Sequence, residues 1–181
     1  AIGRRRAARV VGYFSLLGLA FLLVEDSLIL RFILLLVQPT LAVATGIGAL
    51  LLSSVVGSCL SARVDWRLAR LVLVAWLVVY PLLVSSLTPL FLPLPLWARV
   101  LASALLIAPV GLLMGVPVPR GVAALAVTRD VVPWAWAANG SASVVSAVLA
   151  AMLALSFGFS AVLLIGAALY LGATAIRPSP A

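Results

Sequence analysis

The chain has 181 residues, of which 66% are apolar and only 9% are charged. Average soluble domains have about 45–50% apolar and roughly 25% charged residues, so this composition predicts an integral membrane protein and excludes an ordinary soluble domain. The net charge of +8 comes from twelve arginines without a single lysine. Because these arginines fall mostly between apolar runs, they indicate membrane topology and not a nucleic-acid-binding surface.

Six apolar runs succeed one another along the chain, each close to the roughly 20 residues that a helix needs to cross the hydrocarbon core. Such continuous runs favour helices over barrel strands, in which apolar and polar residues alternate. We therefore predict an all-α integral membrane protein, a single domain formed by a bundle of about six transmembrane helices with short loops. The predicted spans are about 10–36, 40–60, 68–86, 98–116, 133–157 and 160–176.

The first span follows GRRRAAR, which we interpret as the approach to a membrane helix and not as a cleaved leader, since no convincing cleavage site precedes the second span. It contains VEDSLILRF at 24–32, where Glu25 and Asp26 lie side by side and Arg31 follows. On a straight helix neither acidic residue shares a face with Arg31. Their partners are therefore expected on other helices, in water or at a break in the helix.

Ionisable residues inside a membrane are candidates for a functional site. The turn after the first span adds polar residues at similar depth, which leads to the hypothesis of a polar cluster at the outer face, formed by Glu25, Asp26, Arg31, Gln38 and Thr40. The alternative is a structural role near the membrane interface, where a charge is less unfavourable. Arg31 would then reach outward to water, while backbone or hydroxyl donors hold Glu25.

Prolines interrupt the middle of the chain. Those near the end of the third span predict that no continuous helix crosses this region, and that the link to the fourth span lies at headgroup level. They are Pro81, Pro89, Pro93 and Pro95. Pro109 predicts a kink in the fourth span, and the pair of prolines that begins at Pro117 predicts a firm end to it.

Small residues recur at intervals of four in the second, fifth and sixth spans, a pattern that allows helices to pack closely in membranes. The residues singled out for helix packing are Ser54, Gly57, Ser58, Asn139, Ala142, Ser146 and Gly172. Asn139 differs from the others because a buried amide needs hydrogen-bond partners. The pattern predicts contacts between helices and not a ligand groove.

The twelve arginines divide unevenly between the two sides of the predicted bundle. Ten fall at the two termini and in the loops near Asp65 and Asp130, whereas only Arg31 and Arg99 fall on the other side. By the positive-inside tendency, both termini are expected to be cytoplasmic, in the inner membrane of a bacterium.

The residue types that most often carry chemistry are scarce. The chain has no His, and Cys59 is its single cysteine. Neither a metal or haem site nor a Ser–His or Cys–His nucleophile is therefore expected. No Gly-rich phosphate loop appears, and no loop is long enough to fold into a catalytic domain. We predict no catalytic residue, cofactor or bound metal in this chain.

Several short motifs occur together in residues 12–63 and 117–164. They are a Glu followed six residues later by an Arg (Glu25, Arg31), a Pro-Thr turn (Pro39-Thr40), a Gly/Ser-rich helix ending in Arg (Gly57-Ser58, Arg63), Pro-Trp-Ala-Trp (Pro133 to Trp136) and Asn139-Gly140. With these motifs the chain resembles the transmembrane portion of bacterial membrane-bound spermidine synthase-like proteins. Asp26 and Gln38 depart from that pattern, in which an apolar residue and a His are usual.

The resemblance implies a membrane module, because the aminopropyltransferase-like domain of that family is soluble and separate from these helices. The principal hypothesis is a non-catalytic, multi-pass membrane subunit or domain that anchors partners in a larger bacterial membrane complex. Its partners would be the lipid bilayer and other membrane protein subunits. The alternatives are a small transporter-like module that uses Glu25 and Arg31, and the membrane half of a spermidine synthase-like enzyme.

Overall fold

A computed structural model of the chain describes residues 4–125 and 129–176. These residues form helices without any strand, which confirms the predicted all-α membrane bundle. A 3-10 turn, Arg129–Val131, precedes the sixth helix. The helices are α1 (Arg4–Leu36), α2 (Pro39–Leu60), α3 (Trp66–Phe91), α4 (Leu96–Met114), α5 (Pro117–Ala123), α6 (Val132–Phe157) and α7 (Phe159–Ala175).

Four segments are long and apolar enough to cross a membrane: Pro39–Leu60, Leu68–Phe91, Leu96–Ala123 and Val132–Phe157. The helix α7 is apolar but has only 17 residues. The helix α1 is not among the four, and its 33 residues include seven of the sixteen charged residues of the chain. At 1.5 Å per residue α1 is about 50 Å long, which exceeds the roughly 30 Å hydrocarbon core.

The helix α1 occupies the centre of the bundle. It packs against α2, α4, α6 and α7, and its fully buried side chains include Tyr13, Phe14, Leu17, Leu28 and Phe32. The helices α2 and α6 lie at the periphery, since only 17% of the apolar window of each is buried. Much of the surface of these two helices therefore faces the surroundings of the bundle.

Two short turns fix the helix pairs at the end of the bundle farther from the N-terminus. The turn between α6 and α7 is the single residue Gly158, with φ +82°. The turn between α1 and α2 contains Val37, which also has a positive φ of 60°. A β-branched side chain in this left-handed region is strained by about 1–2 kcal/mol.

Replacing Val37 with glycine is expected to stabilise the protein. Val37 is 70% exposed, so the change removes backbone strain and little packing. We expect the free energy of unfolding to rise by about 1 kcal/mol and the melting temperature in detergent by about 2–4 °C. Val43→Gly, at an exposed position inside α2, is the control and should lower the melting temperature. A Val37→Gly protein that melts below the wild type would contradict this account of the turn.

The predicted break at Pro81 and Pro89 is wrong, because α3 continues through both prolines to Phe91. Each proline removes one bond from the helical ladder. In the same two turns the hydroxyls of Ser85, Ser86 and Thr88 donate to carbonyl oxygens four residues earlier, at 2.7, 2.9 and 2.7 Å. The carbonyls that Pro81 and Pro89 leave without a helical N–H are those of Leu77 and Ser85, and none of these hydroxyls binds them. Prolines are nevertheless tolerated inside membrane helices. The predicted headgroup segment is accordingly reduced to the short link 92–95.

The helix α4 is continuous through Pro109 and ends at Met114. This end lies within three residues of Pro117, close to the end that the sequence predicts. After two residues Pro117 begins α5, a position in the first helical turn that suits proline because its missing N–H needs no partner there. The helix α5 places Arg120 beside the turn between α2 and α3.

Candidate functional site

The acidic pair lies on the central helix and is enclosed by its neighbours. Glu25 is 8% exposed and Asp26 is half-buried. A Cβ added to Gly166 of α7 would lie 2.6 Å from the Val24 side chain, so α7 approaches α1 closely beside Glu25. Within residues 4–125 and 129–176, neither carboxyl group forms an ion pair or a hydrogen bond. A buried carboxyl without such a partner is energetically unfavourable.

Arg31 is held by a different helix. Its Nη2 donates to Ser85 Oγ of α3 at 2.6 Å, and that hydroxyl donates to the carbonyl oxygen of Pro81 at 2.7 Å. The guanidinium therefore reaches to α3, which itself packs mainly against α4 and α7, and not along α1 towards the carboxyl groups. Its partner does lie on another helix, as the spacing in the sequence requires.

Gln38 lies in the turn between α1 and α2, Thr40 lies in the first turn of α2, and both are exposed. The carbonyl oxygen of Gln38 accepts a bond from the Ala42 N–H at 3.0 Å, while its side chain does not cap α2. Gln38 follows Glu25 by thirteen residues, which is about 20 Å along a helix. In the part of the chain that the structure describes, no contact brings these two turn residues together with the acidic pair.

One polar face of α6 is bound to the backbone of α1. Three side chains donate to carbonyl oxygens of α1: Asn139 Nδ2 to Phe14 (3.1 Å), Ser143 Oγ to Gly18 (3.3 Å) and Ser146 Oγ to Leu19 (2.6 Å). The two helices touch so closely here that a Cβ on Gly18 would overlap the carbonyl oxygen of Asn139. Ala142 is half-buried near this contact. We call Asn139, Ser143, Ser146 and Ala150 the inner face of α6.

A second close contact joins α2 to α4. A Cβ on Gly57 would overlap the carbonyl oxygen of Leu112, and one on Gly115 would overlap that of Ser54. Gly111 likewise lies against Ser53 and Leu50. Sequence reasoning selected Gly57, Ser54 and Ser58 but missed the matching GxxxG, GLLMG at 111–115, although its spacing can be read directly.

The remaining small residues selected from the sequence have ordinary surroundings. Ser58 is half-buried, and its carbonyl oxygen accepts a bond from the Ser61 N–H at 3.1 Å at the end of α2. A Cβ on Gly172 would lie 3.7 Å from the Leu16 side chain, which is normal van der Waals contact. Close approach of backbones is therefore limited to a few of the predicted packing positions.

Two arginines that the sequence marks only as topology signals bind the ends of helices. Arg120 donates from Nε to the carbonyl oxygen of Ser61 at 2.6 Å and from Nη2 to those of Ala62 and Val64, after the end of α2. Arg99 donates to the carbonyl oxygens of Leu94 and Leu35, at 2.8 and 3.3 Å. The last carbonyls of a helix lack partners and carry partial negative charge, so a guanidinium stabilises them.

Comparison of the chain with protein-family models, curated proteins and solved structures finds no match. Function must therefore be inferred from the arrangement of side chains in the structure. In the described residues this arrangement consists of hydrogen bonds and glycine contacts that hold helices together, beside an acidic pair on the central helix. None of the His, Cys, Asp and Glu side chains in these residues are grouped as a metal site would require.

Proposed function

We propose that the protein is a non-catalytic membrane subunit that anchors partner membrane proteins through α6. The observation that supports this role is that α6 has a second face beside the inner face that α1 covers, and this second face is exposed and has small residues at three of its four positions. The second face consists of Gly140, Val144, Ala147 and Ala151, all of which are exposed. We call these four residues the outer face of α6.

The outer face offers a partner helix close packing at its small residues, without the side-chain hydrogen bonds that the inner face makes. Its residues follow one another at spacings of four, three and four, as do the residues of the inner face. A Cβ added to Gly140 would meet no atom within 4 Å. The backbone of a partner helix could therefore approach α6 at this position. Because lipid tails are as apolar as leucine, helices associate in membranes through close packing at small residues.

The proposal includes the topology of the subunit. Both termini lie on the cytoplasmic side of a bacterial inner membrane, since ten of the twelve arginines fall in the termini and loops that the sequence predicts for that side. The resemblance of residues 12–63 and 117–164 to spermidine synthase-like membrane proteins is compatible with an anchoring role, because it covers the membrane portion of those proteins.

Enlarging the outer face is expected to release the partner. In the double variant Gly140→Leu/Ala147→Leu, two leucine side chains hold a neighbouring helix away but remain compatible with lipid. We expect partner chains that co-purify stoichiometrically with the wild type in mild detergent to fall at least tenfold in occupancy, measured by quantitative mass spectrometry. The variant itself should insert and melt as the wild type does, because a Cβ at Gly140 would meet no atom within 4 Å and Ala147 is exposed.

A matched control tests whether position or added size is responsible. Ala44→Leu/Ala75→Leu adds similar bulk at exposed positions of α2 and α3 and should retain the partner. The anchoring proposal is contradicted if the wild type purifies without any stoichiometric partner, or if both double variants lose it equally. Labelling of single cysteines in intact cells tests the topology, which requires residues 62 and 124 to lie on the same side.

A further inference from the structure

A half-enclosed cavity of about 180 Å³ opens on the side of the bundle between α5 and α6. Leu17 and Phe21 of α1 and Tyr170 of α7 form its floor, and Val118 of α5 forms one wall. Trp136 of α6 lies at the mouth, where its side chain is 54% exposed. The lining is almost wholly apolar, which is typical of sites that bind small ligands.

The depth of the cavity places its mouth in lipid. Asn139, on the α6 side of the cavity, follows the start of that helix at Val132 by seven residues, which is about 10 Å. Tyr170 lies five residues, or about 8 Å, before the end of α7. Both distances fall inside the leaflet on the side of the N-terminus. The molecules that reach the mouth are therefore those dissolved in the bilayer.

Polar groups at the floor define what such a molecule must offer. Tyr170 is 3% exposed, and its hydroxyl donates no hydrogen bond to a described residue. Asn139 uses one amide N–H for the Phe14 carbonyl oxygen at 3.1 Å, which leaves a second N–H. The cavity lining includes no charged side chain. These donors fit a neutral hydrogen-bond acceptor.

We propose that this cavity binds the carbonyl-bearing part of a neutral or ester-linked lipid. The carbonyl oxygen accepts from the Tyr170 hydroxyl and the free N–H of Asn139, while the apolar body packs against Phe21, Met114 and Trp136. A dry cavity of about 150 Å³ holds a benzene molecule, so the available space suits a ring or a short length of chain. Two sources share this chemistry: the ester region of a diacyl phospholipid and the ring of an isoprenoid quinone.

Native mass spectrometry of delipidated protein, titrated with dioleoylphosphatidylglycerol or with decyl-ubiquinone, separates the two sources. We expect one of these probes to bind at one molecule per chain. Tyr170→Phe keeps the shape of the floor and removes one donor, so affinity for that probe should fall about three- to tenfold. Val118→Phe fills part of the cavity and should prevent binding.

Tyr80→Phe is the matched control. Tyr80 is also buried, at 1% exposed, with a hydroxyl that lacks a partner in the described residues, but it lies beside Arg31 in a separate space. The affinity of the Tyr80→Phe variant for the probe should equal that of the wild type. The melting temperatures of both tyrosine variants serve to show that they fold. Three results would each overturn the proposal: neither probe binds, Tyr170→Phe binds as the wild type does, or Tyr80→Phe weakens binding as much as Tyr170→Phe.

Discussion

The variant Gly57→Val is expected to destabilise the bundle severely. A Cβ at this position would overlap the carbonyl oxygen of Leu112 and lie 2.8 Å from its carbonyl carbon, so the obstacle is backbone and cannot rotate away. Relief requires α2 and α4 to separate, which also opens the contacts at Gly111 and Gly115. We expect a loss of about 3 kcal/mol or more in the free energy of unfolding, and a clear fall in the monodisperse fraction after detergent extraction.

Gly48→Val isolates the packing effect from helix propensity. Gly48 lies in the same helix nine residues earlier, and a Cβ there meets no atom within 4 Å. Both variants exchange glycine for a β-branched residue in a helix, so their difference measures the contact with α4 alone. Gly48→Val should change the melting temperature by at most about 2 °C. Equal melting temperatures for the two variants would show that α2 and α4 do not cross at Gly57.

The helices themselves could be predicted because their limits are local. Pro39 starts α2 and Gly158 separates α6 from α7, as the sequence suggested. The rule that proline ends a helix predicted an α3 that is too short, because the helix continues to Phe91. That rule holds for helices in water, which competes for the freed backbone groups, whereas membrane helices commonly continue through proline.

The candidate site was harder to predict because its contacts join distant parts of the chain. The spacing of Glu25, Asp26 and Arg31 predicted that the partner of Arg31 lies outside α1. That this partner is Ser85 depends on how α3 is placed in the bundle. The same holds for Asn139, whose need for a partner was readable while its acceptor, the Phe14 carbonyl oxygen, lies 125 residues away. The grouping of Gln38 with Glu25 assumed similar depth, which the length of α1 between them does not support.

Replacing Glu25 with leucine is expected to stabilise the isolated protein. Glu25 is 8% exposed as a whole residue, and its carboxyl group forms no hydrogen bond or ion pair with a described residue, so no partner among these residues offsets the exposure that the side chain loses on folding. Leucine has a similar length and suits the apolar neighbours Val24 and Leu28. We expect the free energy of unfolding to rise by about 1–3 kcal/mol, and the melting temperature in dodecyl maltoside by about 3–8 °C.

Asp26→Leu gives the comparison that decides what Glu25 is for. Asp26 is half-buried, so its carboxyl keeps access to the surroundings and its replacement should raise the melting temperature less. A residue whose side chain destabilises the folded protein is retained when function requires its chemical group, because stability and function are often in conflict. If Glu25→Leu melts well below the wild type, the carboxyl must instead be bound in the folded protein. An ion or a partner group at the centre of the bundle would then have to be sought beside α7.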